Sequence, residues 1–153
     1  MVYKWKSGSR IKGDPQESGE LMERLAATEE GLTARALLEA NVPEGAPLHD
    51  DYEWDDDVAA DKWRLQQSNQ FIASLTVVVF EEKEGEKVDQ PRAFHITTQE
   101  HSYDPLNVIL SEQSKYEAML RNAMAELGTF KRKYEVLSEL KPVFKAYEEV
   151  KEG

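Results

Sequence analysis

Residues 47–64 read PLHDDYEWDDDVAADKWR, and this stretch gathers acids, aromatics and a helix start in one place. Between Glu44 and Asp61 there are eight acidic residues and no basic one. The composition suits recognition better than reaction. Pro43, Gly45 and Pro47 make residues 44–53 a loop, and Asp55 then fits the N-cap of a helix, since its carboxylate can accept from the first free backbone N–H groups. Asp56 and Asp57 in the first turn would meet the positive end of the helix dipole. Along this helix Ala60, Trp63, Gln67 and Phe71 fall on one face, while Gln66, Ser68, Asn69 and Gln70 leave the remainder uncharged and rich in hydrogen-bonding groups. Trp63 is expected to pack on Leu37 and Phe71, and Trp54 to close the loop onto the helix.

Two shorter helices are predicted upstream. Asp14, Pro15 and Glu17 have capping-box spacing with proline in the first turn, and Leu21, Met22 and Leu25 share one face of a helix running to about Thr28. Thr33 caps a second helix through Ala36, Leu37, Leu38 and Ala40, which Asn41-Val42-Pro43 stops. Before them, residues 1–13 carry Lys4, Lys6, Arg10 and Lys12 with no acid, interleaved with Tyr3 and Trp5, which is a basic aromatic arm.

Downstream the period changes. Thr76–Phe80 is short and β-branched, Gly85 marks a turn, and Arg92–Thr98 alternates, so a β-hairpin is expected. Asp104-Pro105 reads as another helix start, opening a short helix or turn through Leu110. From Ser111 the chain is helical, with Tyr116, Leu120, Ala123, Leu127, Phe130, Tyr134 and Leu137 at alternating steps of four and three, a heptad seam. Gly128 weakens that helix, and Pro142 should break it before a terminal helix from Val143 to Val150. The expected fold is α+β: an N-terminal three-helix unit of helix-turn-helix dimensions, a β-hairpin and a long C-terminal helix. The organisation is an arm at 1–13, a helical unit at 14–75, and hairpin plus C-terminal helices at 76–153, within one compact domain.

Composition excludes several functions. At 153 residues, 40% apolar and 32% charged, with net charge −11, the chain is an ordinary globular protein without a surface broadly adapted to nucleic acid, so any such contact is local. There is no cysteine, hence no disulfide, thiolate zinc site or cysteine nucleophile. No apolar run approaches a membrane span, and Met1-Val2-Tyr3-Lys4-Trp5-Lys6 is not followed by the apolar core of a secretory signal, which predicts a cytoplasmic protein without a membrane partner. His49 among Asp50, Asp51, Glu53 and Asp55–Asp57 offers metal ligands, but an EF-hand loop would need its turn glycine and twelfth-position glutamate, so no metal is expected there. His49, His95 and His101 have no paired-ligand spacing. Without a nucleophile elbow, Walker loop or dinucleotide fingerprint, neither catalysis nor a cofactor is expected.

Two non-enzymatic functions remain. In the first, the helical unit and arm associate with DNA or a DNA-processing assembly: Lys4, Lys6, Arg10 and Lys12 contact phosphates, and Lys62, Arg64, Gln66, Gln67 and Asn69 reach a groove. In the second, the protein is a self-assembling structural or accessory protein. Its arm docks on Asp50, Asp51, Glu53, Asp55, Asp56 and Asp57 of a neighbouring copy, and a seam of Leu120, Leu127, Phe130, Tyr134 and Leu137 pairs helices. A phage or host protein partner has no signature of its own.

The segment PLHDDYEWDDDVAADKWRLQQSNQFI, with YKWKSGSRIKG before it, LTARALLEA between them, and AMAELGTFKRKYEVLSELKPVF after it, resembles a family of small, largely uncharacterised bacteriophage and prophage proteins. The resemblance covers nearly the whole chain and is strongest at Pro47, Leu48, His49, Glu53, Trp54, Asp55, Asp56, Ala59, Ala60, Trp63 and Arg64. It implies phage origin and expression in the host cytoplasm, and brings no catalytic residues. Ser68-Asn69 stands where an Ala-Arg pair is commoner, which removes one positive charge from the third helix.

Overall fold

The computed structural model describes residues 1–56, 60–98 and 101–153. The predicted helix starts appear where their caps place them. Asp14 accepts from Glu17 N at 2.9 Å and Pro15 opens α1, Pro15–Ala26. Thr33 accepts from Ala36 N at 3.0 Å and opens α2, Ala34–Ala40. A 3-10 turn, His49–Asp51, sits inside the predicted loop. The next helix, α3, covers Ala60–Ser74; Asp57–Ala59, which would have tested Asp55 as its cap, lie outside the described residues.

Both predicted strands exist, but neither takes the other as main partner. Tyr3–Trp5 forms β1 and pairs antiparallel with β2, Leu75–Val77, in the register Tyr3 to Val77, Lys4 to Thr76 and Trp5 to Leu75. Phe94–Ile96 forms β3 and pairs with β4, Tyr103–Pro105. Of the expected hairpin there remains a Thr76–Arg92 bridge, flanked by Val77 N to Pro91 O at 2.9 Å and Ala93 N to Leu75 O at 3.0 Å. The reason lies in Tyr3. Its ring is buried and lies against Gly19 of α1, where a Cβ would come within 2.2 Å of the ring, so the arm is fastened as a strand. Asp104-Pro105 likewise closes a strand before α4, Leu106–Ser111, instead of capping a helix; the Asp104 carboxylate accepts from the Thr97 hydroxyl and from Lys115 Nζ at 3.0 Å.

One core joins these elements. Tyr3, Met22, Leu32, Leu37, Leu48, Tyr52, Phe71, Ile72, Leu75 and Phe94 all belong to it, so α1–α3 share their interior with β1, β2 and β3 instead of closing a unit of their own. The core face of α3 runs through Leu65, Ser68 and Ile72, spaced by three and four. Trp63 lies on the opposite side and is 42% exposed, which corrects its expected core role; Trp54 is half-buried, as the loop closure required.

The C-terminal part is built differently. α5 covers Gln113–Tyr134 and α6 covers Lys141–Glu152, joined through a 3-10 turn at Ser138–Leu140. Pro142 opens α6, where its missing N–H costs nothing, instead of breaking a helix. Gly128 is where α6 approaches α5: a Cβ there would stand 2.8 Å from the Tyr147 hydroxyl. Phe130 and Phe144 meet at a centroid distance of 6.3 Å, and Lys131 pairs with Glu148 at 3.1 Å. No helix among the described residues is long and apolar enough to cross a membrane.

Candidate interaction surfaces

The arm and the acidic loop meet within one chain. Asp51 accepts from Lys12 N at 2.7 Å through Oδ1 and from Gly13 N at 2.8 Å through Oδ2, and Trp5 Nε1 donates to Gly13 O at 2.7 Å. The carboxylate therefore binds the arm's backbone, not its ammonium groups. Arm and acidic loop are thus joined within the chain through Asp51. Lys4 pairs with Glu82 at 2.6 Å, whereas Lys6, Arg10 and Lys12 are exposed and make no ion pair among the described residues.

The residues expected to read a groove are largely committed elsewhere. Arg64 lies over the Trp54 ring at 5.3 Å, donates to Glu53 O at 2.9 Å and pairs with Asp56 at 2.7 Å. Trp54 in turn stacks on His49 at 4.9 Å and donates to His49 O at 2.8 Å. Gln67 accepts from Glu53 N at 3.1 Å and donates to Asp51 O at 3.3 Å, so it braces the acidic loop. Asn69 accepts from the Tyr103 hydroxyl at 3.2 Å; Lys62 and Gln66 are exposed. Ser68 is buried and bonded to the Tyr52 hydroxyl, whereas Asn69, the position where the resemblance sets an arginine, is exposed. Burial holds the Tyr52 phenol well above its ordinary pKa, with the Ser68 bond opposing it weakly. Burial, then Glu23, does the same to Tyr3.

The acidic loop is thus a braced surface feature. Asp50, Glu53 and Asp56 are exposed, Asp51 is half-buried by its bonds to the arm, and Asp55 N donates to Glu53 Oε1 at 3.1 Å; Asp57 lies outside the described residues. Among the described residues no group of three or more His, Asp or Glu side chains is placed to hold a metal ion. On α3, Asp61 is held below the usual carboxylate range by its bidentate bond to Arg35, at 2.6 and 3.1 Å, which ties α3 to α2.

The seam on α5 is open. Tyr116, Leu120, Leu127 and Phe130 are each 44–46% exposed, and Leu137, just beyond the helix end, is 45% exposed. Tyr134 is half-buried against Phe130 at 4.8 Å, under the Lys133 ammonium at 5.1 Å. Within α5 only Ala118 and Gly128 are buried. At its start Lys115 is raised in pKa by its bond to Asp104 and fastens the helix to β4.

One cluster has no sequence signal of its own. The β1–β2 pairing and the Thr76–Arg92 bridge bring Lys87 and Arg92 beside Lys4 and Lys6 around a cleft of about 450 Å³. The four cations are spread over 89 residues of sequence, from Lys4 to Arg92, so no local pattern announces them; only the two-residue alternation of Lys4 and Lys6 was visible. No family model, no curated protein and no solved structure matches the chain.

Proposed function

We propose that this is a non-enzymatic, self-associating structural or accessory protein of bacteriophage origin, acting in the host cytoplasm and joined by the α5 seam. The observation that carries the reading is an apolar stripe five residues long, at heptad spacing, left 44–46% exposed from Tyr116 to Leu137. Exposed apolar area of this regularity is stabilised by burial, and a second copy carries the matching surface.

The chemistry of α5 favours an antiparallel pair. Setting Leu120 opposite Phe130 of the second copy also sets Tyr116 opposite Tyr134 and the small Ala123 opposite the larger Leu127. The basic turn Lys131-Arg132-Lys133 then lies across from the first turns, with Glu112 and Glu117, and the helix dipoles oppose. A parallel pair would put Ala123 against itself and leave a gap.

Because the chain has no cysteine, thiols can be placed singly. A Leu120→Cys protein mixed with a Phe130→Cys protein is expected to form a mixed disulfide, whereas self-linked Leu120→Cys would mean a parallel pair. In sedimentation velocity, the oligomer should persist at high salt and dissociate on Leu120→Asp/Leu127→Asp. A monomer under every condition refutes the proposal.

A second reading, association with DNA or a DNA-processing assembly through the N-terminal elements, is favoured by Lys6, Arg10, Lys12 and Lys62, which are exposed and make no ion pair among the described residues. It is tested by the binding measurements below.

A further inference from the structure

The cleft between β1 and the segment after β2 is lined by four cations, Lys4, Lys6, Lys87 and Arg92, against two acids, Glu82 and Asp89, on a chain of net charge −11. Lys4 pairs with Thr76 across β1 and β2, and Thr76 bridges to Arg92, so the three stand in one row across adjacent strands. Residues opposite one another across strands project to the same face, and two strand spacings put Lys4 and Arg92 about 10 Å apart at the backbone. Lys6, just beyond the end of β1 and tied to Ser74 O through its backbone N at 2.8 Å, and Lys87 complete the border. Lys4 is neutralised by Glu82, but Lys6, Lys87 and Arg92 are exposed and make no ion pair among the described residues. Like charges held this close without partners repel one another, and a polyanion lying along them removes the repulsion.

The rest of the lining restricts the anion. Trp5 borders the cleft, partly buried against the core and with its only donor spent on Gly13 O, so the part of it left exposed is apolar. The Gln90 amide is consumed by Val79 N, Phe80 N and Phe80 O, and the Thr76 hydroxyl donates to Lys4 O. Besides its cations the cleft presents two carboxylates, Glu82, which Lys4 holds, and Asp89, together with the Ser7 hydroxyl and apolar surface; the Gln90 amide, its one side-chain amide, is tied to the backbone of Val79 and Phe80.

We propose that this cleft binds single-stranded nucleic acid without sequence preference, its phosphates along Lys4, Lys6, Lys87 and Arg92 and a base against Trp5. The inference rests on the second reading above, but moves the contact from the helical unit to the β1–β2 edge.

The test is fluorescence anisotropy of a labelled oligo-dT strand across a salt series, using the full chain. Binding is expected at low salt, weakened at least tenfold by Lys6→Ala/Lys87→Ala/Arg92→Ala. The log K against log salt slope should flatten by about two units, near 0.7 for each lost contact. Lys62→Ala on α3 should leave it unchanged. All four positions are exposed, and an unchanged melting temperature confirms that the variants fold. If Lys62→Ala weakens binding and the triple variant does not, the cleft is wrong and the helical-unit reading stands. No binding at low salt overturns both. Competition by a free deoxynucleoside triphosphate as strong as by unlabelled strand overturns the strand assignment in favour of a nucleotide, and equal competition by an acidic peptide of residues 50–56 overturns it in favour of protein.

Discussion

The body of the molecule and its C-terminal hairpin solve the problem of apolar surface in opposite ways. From β1 to α4, the large apolar side chains Met22, Leu32, Leu37, Leu48, Ile72, Leu75, Phe94 and Ile109 are completely enclosed. Across α5 and α6 only Ala118, Gly128 and Phe144 are buried, while Leu120, Leu127, Val143 and Val150 remain substantially exposed. The first region is stabilised by its own interior. The second has a periodic apolar face that its own chain leaves uncovered, and this is why assembly is sought there.

Core truncation should separate the two regions most strongly. Phe94→Ala is expected to cost about 3–5 kcal/mol in chemical denaturation, because a fully enclosed ring leaves a cavity. Leu127→Ala should change monomer stability little and reduce self-association. Equal losses would break the distinction.

The two close-approach glycines sharpen it. Gly19→Ala drives a methyl into the buried Tyr3 ring, with contacts down to 2.2 Å, and should destabilise by about 1–3 kcal/mol. Gly128→Ala meets only the Tyr147 hydroxyl, the far end of a side chain that can turn aside, while helix propensity improves by up to about 1 kcal/mol; the net change in melting should be near zero.

Alkaline titration probes the body alone. Tyr3 and Tyr52 have folded-state pKa values raised above the ordinary 10.0. Their contribution is therefore complete below pH 10 and is lost as pH climbs beyond it, when the unfolded phenol ionises and the folded one does not. Tyr52→Phe should flatten this alkaline decline in denaturation midpoints measured from pH 8 to 11.

The smallest expected effect lies at the rim of the pair. In the antiparallel register Glu126 faces its own copy, so Glu126→Gln should tighten the dimer by a few tenths of a kcal/mol at low salt, and by nothing at high salt. Weaker association would argue against that register.

Helix starts were legible because a cap and its first turn are neighbours in sequence, as at Asp14 and Thr33. The seam was legible for the same reason, its period being internal to α5. Strand partners were not. Thr76–Phe80 and Arg92–Thr98 alternate as strands do, but nothing local says that Leu75–Val77 prefers Tyr3–Trp5, since that preference comes from where Tyr3 is buried. Trp63 misled because size suggested burial, whereas the stripe through Leu65, Ser68 and Ile72 decided which side of α3 faces inward. Lys87 and Arg92 acquired meaning only once the strands had brought them to Lys4.

The register of Tyr3 opposite Val77 also sets the order in which the molecule can form. β1 precedes its partner strand by three helices and is among the last elements able to find its place. A segment carrying Lys4 and Lys6 thus waits unpaired while α1 and α2 take shape, and closing that long loop is a slow, entropically costly step. Fusions placed at the N-terminus should therefore delay refolding more than equal fusions at the C-terminus, where α5 and α6 join through a short turn and need only their neighbours.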